Sequence, residues 1–171
     1  MFQPEKLKWQ DIQSPKLTWS EYLQHIKSED EKTKFKNGYN EFNVNPQKIK
    51  EIKDLLEEKD QFISILILGA SWCAGCARID PQFAKIEESL NSPRFKVYLL
   101  GGLKKRMNPS PGQGKYAKPL EAADPIYSLK ETPTIYFYNK EGVCFNRIER
   151  DNLQTESHED EILFILNELN K

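Results

Sequence analysis

Two cysteines separated by two residues are the part of this sequence best suited to chemistry. Cys73 and Cys76 follow an apolar run, residues 63–68, that is typical of a strand buried on both faces. The pattern therefore places the dithiol where a strand ends and a helix begins. The apolar residues at helical spacing after the cysteines are Ile79, Phe83, Ile86 and Leu90.

A helix start would activate one of these thiols. Only a thiolate attacks a disulfide, and a free cysteine with a pKa near ~8.5 is mostly protonated at neutral pH. The unpaired N–H groups and the positive end of the helix dipole favour a negatively charged sulfur. We expect Cys73, at the helix mouth, to be the nucleophile, and Cys76, one turn further in, to resolve the mixed disulfide.

A zinc site and a structural, redox-silent pair are the alternatives to a redox dithiol. Zinc needs two further ligands, and the candidates Cys144, His25 and His158 are not at ligand spacing. We therefore expect no metal and no bound cofactor. Cys144 lies in an apolar segment and is expected to be buried and inert. Both histidines lie in charged segments and are expected at the surface.

The overall composition argues against several kinds of partner. The 171 residues include 25 basic and 26 acidic ones, a balance that speaks against nucleic acid and membrane surfaces. The N-terminus lacks a signal-like apolar segment, and the longest apolar run is too short to span a bilayer. Three cysteines are too few for a secreted disulfide framework. We expect a cytoplasmic monomer, although a chain from which a signal peptide was removed would look the same.

The length fits one α/β domain, residues 46–171, preceded by an extension, residues 1–45, that we expect to pack on its sheet. Asn37-Gly38 is predicted to be a turn, and the glycine- and proline-rich residues 101–118 a long loop. Helices are predicted from Thr18 or Ser20, after Asn45-Pro46, over 120–129 and over 159–170. Further strands are predicted at 95–100, parallel to the first, and at 134–138 and 143–148, as a hairpin.

Four features occur together in one order. Trp72 precedes the first cysteine, and the C-x-x-C opens a helix. Pro81 follows Cys76 by five residues and must bend that helix, because it lacks an N–H group. Pro133 stands directly before an apolar strand, and a hairpin and a helix then close the chain. In this order the features resemble the thioredoxin family over about residues 46–171.

The resemblance implies a three-layer α/β/α fold with a mixed central sheet and an antiparallel C-terminal hairpin, to which residues 1–45 add an N-terminal helical extension. It implies that Thr132-Pro133 is a cis peptide beside the dithiol. The implied activity is thiol–disulfide oxidoreduction, most simply the reduction of disulfide-containing proteins, with electrons from a separate reductase or a small thiol. The implied substrate platform consists of Trp72, Ala74, Gly75, Thr132 and Pro133.

Two departures from the family bear on the reactivity of the dithiol. Ala74-Gly75 stands between the cysteines where thioredoxins have Gly-Pro, and groups near the cysteines set the reduction potential. Ile67 stands where thioredoxins carry a buried aspartate that relays protons. Since no acidic residue lies between Phe62 and Cys76, the proton of Cys76 must leave to water or to another group, and we expect a slower resolving step.

The loop 101–118 carries five basic residues and no acidic one. A solvated loop is the simplest interpretation. However, it follows the carboxyl end of a strand parallel to the first, so it could lie at the same sheet edge as the dithiol. There it could select an acidic or extended partner or shield the mixed disulfide. The alternative to an enzyme is a binding module that docks a partner peptide in the same groove without turnover.

Overall fold

A four-stranded mixed sheet forms the centre of the protein. The structure, a computed structural model, describes residues 1–169. The strands are β1 (Ile63–Leu68), β2 (Phe95–Leu100), β3 (Lys104–Lys105), β4 (Tyr116–Lys118), β5 (Thr134–Tyr138) and β6 (Cys144–Glu149). The central sheet has the order β2, β1, β5, β6, with β1 and β2 parallel and its other pairs antiparallel. The predicted parallel pair and C-terminal hairpin are therefore confirmed.

The helices pack on both faces of this sheet. They are α1 (Trp19–His25), α2 (Glu29–Glu41), α3 (Pro46–Glu58), α4 (Ala74–Leu90), α5 (Leu120–Ala123) and α6 (His158–Leu169). In β1, Ile65 to Leu68 are completely buried. Because successive strand residues point to opposite faces, this burial shows that both faces are covered. The predicted end of the last helix, Asn170, lies outside the described residues.

The predicted turn at Asn37-Gly38 is wrong, because both residues lie within α2. Gly38 has a packing role there. A Cβ at this position would lie 2.2 Å from the carbonyl oxygen of Ala77 in α4. The glycine therefore allows α2 to lie directly against the helix that carries the dithiol.

Two other helices differ from their predicted bounds. The first begins at Trp19 with Thr18 as its N-cap, because the Thr18 side chain and Glu21 form a reciprocal capping box. The predicted helix over 120–129 ends at Ala123, and a 3-10 turn, Pro125–Tyr127, follows. Pro125 cannot donate a helical hydrogen bond and holds the preceding residue extended, which explains the break.

The segment 101–118 is not entirely a loop, because β3 and β4 pair within it as a short antiparallel hairpin. Only a few residues on each side are paired, too few to produce a periodic sequence signal. The segment between them carries the glycines and prolines on which the loop prediction was based. The hairpin projects from the carboxyl end of β2, close to the start of α4.

The N-terminal residues contact both outer strands of the central sheet. Leu17 and Leu99 of β2 exchange two backbone hydrogen bonds, of 2.9 and 2.8 Å. At the other edge, the N–H of Cys144 donates to the carbonyl oxygen of Leu7. Edges with unpaired N–H and C=O groups invite association, so these contacts protect the sheet. Within residues 1–169, no helix has the length and apolar character needed to cross a membrane.

Candidate active site

Cys73 is the N-cap residue of α4. Its Sγ accepts a hydrogen bond of 3.3 Å from the backbone N–H of Cys76, one of the first-turn donors that have no helical partner. Thr132, directly before Pro133, approaches the same sulfur with its Oγ1 at 3.5 Å and its carbonyl oxygen at 3.6 Å. The dithiol thus lies between β1 and α4, as the sequence pattern predicts.

The surroundings of Cys73 lower its pKa to about 5. The largest cause is a hydrogen bond from the Cys76 thiol. Burial opposes it and raises the pKa, whereas the Thr132 side chain, the Cys76 N–H and the charge of Arg150 lower the pKa further. A sulfur with this pKa is a thiolate at pH 7, the form that attacks disulfides. Cys73 keeps 9% of its surface exposed.

Cys76 has the opposite properties. It is completely buried, and its Sγ accepts a hydrogen bond of 3.4 Å from the N–H of Ala70. The hydrogen bond that it donates to Cys73, together with burial, raises its pKa. Both cysteines are free thiols in this structure. The pair therefore carries one negative charge at neutral pH, and that charge resides on the outer sulfur.

Asp80 is a buried acid that the sequence analysis did not identify. It lies four residues after Cys76 in α4, is 1% exposed, and neither of its carboxylate oxygens has a hydrogen-bond partner within residues 1–169. A Cβ built on Gly69 would lie 2.9 Å from the Sγ of Cys76 and 3.4 Å from Oδ2 of Asp80. The thiol and the carboxylate therefore share one small space beside Gly69.

The environment of Asp80 disfavours its ionised form. Burial, and then the charge of Cys73, raise the pKa of Asp80 well above its ordinary value. A carboxylate with a raised pKa is a stronger base than an exposed one. The sequence feature that could have indicated this contact is the spacing of four residues, which puts Cys76 and Asp80 on one face of the helix.

A groove of about 330 Å³ leads to Cys73. Five of the residues expected from the sequence line it, namely Trp72, Cys73, Ala74, Gly75 and Thr132. Cys76 and Pro133 are buried and do not line it. The Thr132-Pro133 peptide is cis, as the family resemblance implies.

The β3–β4 hairpin forms part of the wall of this groove, through Lys105, Lys115 and Tyr116. The ammonium group of Lys105 lies 5.4 Å from the centre of the Trp72 ring, and Trp72 is 49% exposed. Tyr116 is buried, so it anchors the hairpin to the domain. The structure thus brings the basic segment 101–118 to the dithiol.

Arg150 is a second residue that the sequence analysis missed. It directly follows β6 in a left-handed conformation, φ 50°, and its N–H donates a 2.9 Å hydrogen bond to the carbonyl oxygen of Pro133. Its guanidinium lies against Gly75, where a Cβ would come within 2.6 Å of a guanidinium nitrogen. No local sequence pattern indicates this contact, because it depends on how β6 meets α4.

The prediction that His158 lies at the surface is wrong. It is 5% exposed, packs edge-on against Phe83, and its Nε2 lies 2.9 Å from the carbonyl oxygen of Arg150. Burial lowers its pKa, so the ring is neutral at pH 7. The sequence contained an indication of this burial, because His158 lies on the same face of α6 as its buried apolar residues. His25 is exposed, as predicted.

Cys144 is buried, as predicted, and burial raises its pKa to about 12. Its Sγ lies 3.5 Å from the carbonyl oxygen of Asn146, to which it can donate. A thiol with this pKa is not nucleophilic at neutral pH. Within residues 1–169, no three His, Cys, Asp or Glu side chains are grouped in a way that could hold a metal ion.

Comparisons with known proteins support the fold. A family model described as Thioredoxin matches residues 16–120, starting before the expected 46–171 region and ending before Pro133. The 1.5 Å crystal structure of a protein of unknown function from Pseudomonas aeruginosa superimposes with a TM-score of 0.59 and 10% identity, over 91% of this chain and 92% of that one. No curated protein matches the sequence. With more than half of its length matched by the family model, the chain belongs to the thioredoxin family.

Proposed function

We propose that this protein is a thiol–disulfide oxidoreductase that reduces protein disulfides through Cys73 and Cys76. The difference between the two sulfurs carries the proposal. Cys73 has a pKa of about 5 and lines a groove, whereas Cys76 is buried and has a raised pKa. One sulfur can therefore attack a substrate while the other stays protonated until it is needed.

The reaction has two exchange steps. The Cys73 thiolate attacks one sulfur of the substrate disulfide, so that a Cys73–substrate bond forms and the other substrate sulfur leaves as a thiolate. Cys76 then loses its proton and attacks the Sγ of Cys73, which forms the Cys73–Cys76 disulfide and releases the second substrate thiolate. Two electrons pass from the dithiol to the substrate, and water protonates the released thiolates according to their pKa.

Asp80 would accept the proton of Cys76 in the second step. Once Cys73 is bonded to the substrate, it no longer carries the negative charge that holds the Cys76 proton. Bonding of Cys73 also removes one of the two causes that raise the pKa of Asp80, which favours the carboxylate form. That carboxylate lies beside the thiol, in the same space next to Gly69 and without another partner among residues 1–169. Proton transfer to Asp80 produces the thiolate that attacks. The protonated acid can return its proton after release.

The oxidised dithiol would be reduced again by a separate reductase or by a small thiol. Each of these donors supplies the two electrons that the substrate received. We propose that the protein works in the cytoplasm, where such donors keep thiols reduced.

Reduction of insulin by dithiothreitol tests the proposal. Wild-type protein should accelerate the reaction, Cys73→Ser should abolish the acceleration, and Cys76→Ser should accumulate a mixed disulfide. Cys144→Ser is the matched control and should retain activity, because this thiol is buried away from the groove. A wild-type rate equal to that of dithiothreitol alone would contradict the proposal and favour a binding module that holds a partner in the groove.

A further inference from the structure

The groove at Cys73 concentrates positive charge. Lys105, Lys115, Lys130 and Arg150 line it, against a single carboxylate, that of Glu131. Over the whole sequence, by contrast, 25 basic and 26 acidic residues nearly cancel. The positive potential is therefore local, and it lies where a substrate must approach the nucleophile.

Arg150 differs from the other arginines of the chain. Its guanidinium forms no hydrogen bond or ion pair with any residue that the structure describes. Each of the others is engaged: Arg78 with Asp151, Arg94 with Asp60, Arg147 with Glu149, and Arg106 with the carbonyl oxygens of Gly114 and Tyr116. The donors of Arg150 are thus available to a ligand.

The backbone of Arg150 is held on both sides, although its guanidinium donors are free. Its backbone N–H is bonded to Pro133, its carbonyl oxygen is bonded to His158, and its guanidinium rests against Gly75. A planar guanidinium held in this way presents parallel N–H donors that match a carboxylate. The contact with Gly75 restricts the guanidinium, which reduces the conformational entropy that is lost when a ligand binds.

A second cation reaches the groove from a different element. Lys105 of β3 holds its ammonium group over the exposed ring of Trp72. The contact with the ring restrains a side chain that would otherwise be mobile. A ligand that spans the groove would thus meet positive charge from the hairpin at one place and from the end of β6 at another.

We propose that this groove selects disulfides in peptide segments that carry carboxylates next to the cysteine, with Arg150 binding one of these carboxylates. The proposal rests on the proposed reductase function and names its substrate class. A peptide segment fits because the cations come from separate elements, so that acidic side chains at several positions along a chain can be bound. The groove volume, about 330 Å³, is enough for a few residues.

Three peptides with one internal disulfide, flanked by Glu, Gln or Lys, test the proposal. With dithiothreitol as electron donor, kcat/KM of the wild-type protein should be at least about tenfold higher for the Glu peptide than for the Lys peptide at low ionic strength. The ratio should fall toward one in about 0.5 M salt, because salt screens exposed charges.

Arg150→Gln should remove much of the preference for Glu over Gln. The ratio of the two rates is the informative quantity, since the loss of Arg150 also changes the reactivity of Cys73 toward both peptides. The matched control is Lys53→Gln, which makes the same change of charge on an exposed residue of α3 and should leave the ratio unchanged.

The outcomes separate this proposal from the function on which it rests. Equal rates for the three peptides would overturn the substrate class and leave the reductase function intact. Absence of turnover for every peptide would overturn both. Faster reduction of oxidised glutathione than of the Glu peptide at equal concentration would contradict a peptide substrate and assign the cations to a small carboxylated disulfide. An unchanged ratio in Arg150→Gln would contradict the role of Arg150.

Discussion

Asp80 lies one helical turn beyond Cys76, and its carboxylate shares with that thiol the space beside Gly69. An unpartnered buried carboxylate destabilises a folded protein. A role as acceptor of the Cys76 proton would explain why one occurs next to this sulfur. The acid is on the helix that carries the dithiol, whereas the thioredoxin resemblance implies an acid on the preceding strand, at the position of Ile67. The expectation of a slow resolving step rested on the lack of an acid near Cys76, and Asp80 removes that reason.

Asp80→Asn should slow the second exchange step and leave the first nearly unchanged. The amide keeps the shape of the side chain and cannot accept the Cys76 proton, so release from a preformed Cys73–substrate disulfide should be about 10²-fold slower. Stopped-flow measurement of that release separates the steps. In the wild type the release rate should fall as acidification protonates Asp80, at a pH above the ordinary carboxyl range because its pKa is raised. Persistence of the same pH dependence in Asp80→Asn would exclude Asp80 as the proton acceptor.

Asp80→Asn should also raise the free energy of unfolding at pH 7, by about 1–3 kcal/mol. The folded state holds the Asp80 proton more tightly than the unfolded state, so the wild type loses stability as the pH rises from the unfolded pKa to the raised folded pKa. The difference in free energy of unfolding between Asp80→Asn and the wild type should therefore increase over that pH range and disappear at acidic pH. Urea titrations at several pH values measure it, and a loss of stability in Asp80→Asn at neutral pH would mean that the carboxylate has a stabilising partner.

Thr132→Val should raise the pKa of Cys73 above about 5. Valine has a similar shape and lacks the hydroxyl that lies 3.5 Å from the Cys73 sulfur. Loss of one hydrogen bond to a thiolate corresponds to roughly one pKa unit. The alkylation rate of Cys73 as a function of pH gives the pKa, and an unchanged profile would show that the hydroxyl does not stabilise the thiolate.

Gly38→Ala should destabilise the protein by about 2–4 kcal/mol. The added methyl group would lie 2.2 Å from the carbonyl oxygen of Ala77, so α2 would have to move away from α4. Gly114→Ala is the matched control, because a Cβ there meets nothing within 4 Å. Urea denaturation measures both variants, and equal stabilities would show that the approach of α2 to α4 is not close.

The parts of the fold that the sequence predicted were those with a strong local signal. The apolar run of β1, the helical spacing after Cys76 and the hairpin of β5 and β6 each follow from the residues of one segment. Gly38 was misinterpreted because a glycine in a polar segment has the same local signature whether it forms a turn or allows two helices to approach.

The missed residues of the site depend on tertiary contacts. The sequence analysis did not single out Asp80, and the packing around α4 shows that this side chain is buried. Arg150 has no motif at all, because its contact with Gly75 joins segments that are 75 residues apart in the sequence. Local patterns therefore located the dithiol, and the structure was needed to find the groups that tune it.

The pH dependence of Cys73 alkylation in the reduced protein measures whether Cys73 is a thiolate at neutral pH, with Cys73→Ser as the blank. We predict a rate that is half-maximal near pH 5, the pKa of Cys73, and constant through pH 7. A rate that is still rising at pH 8, with a midpoint near the pKa of about 8.5 of a free cysteine, would contradict the claim that Cys73 is a thiolate nucleophile.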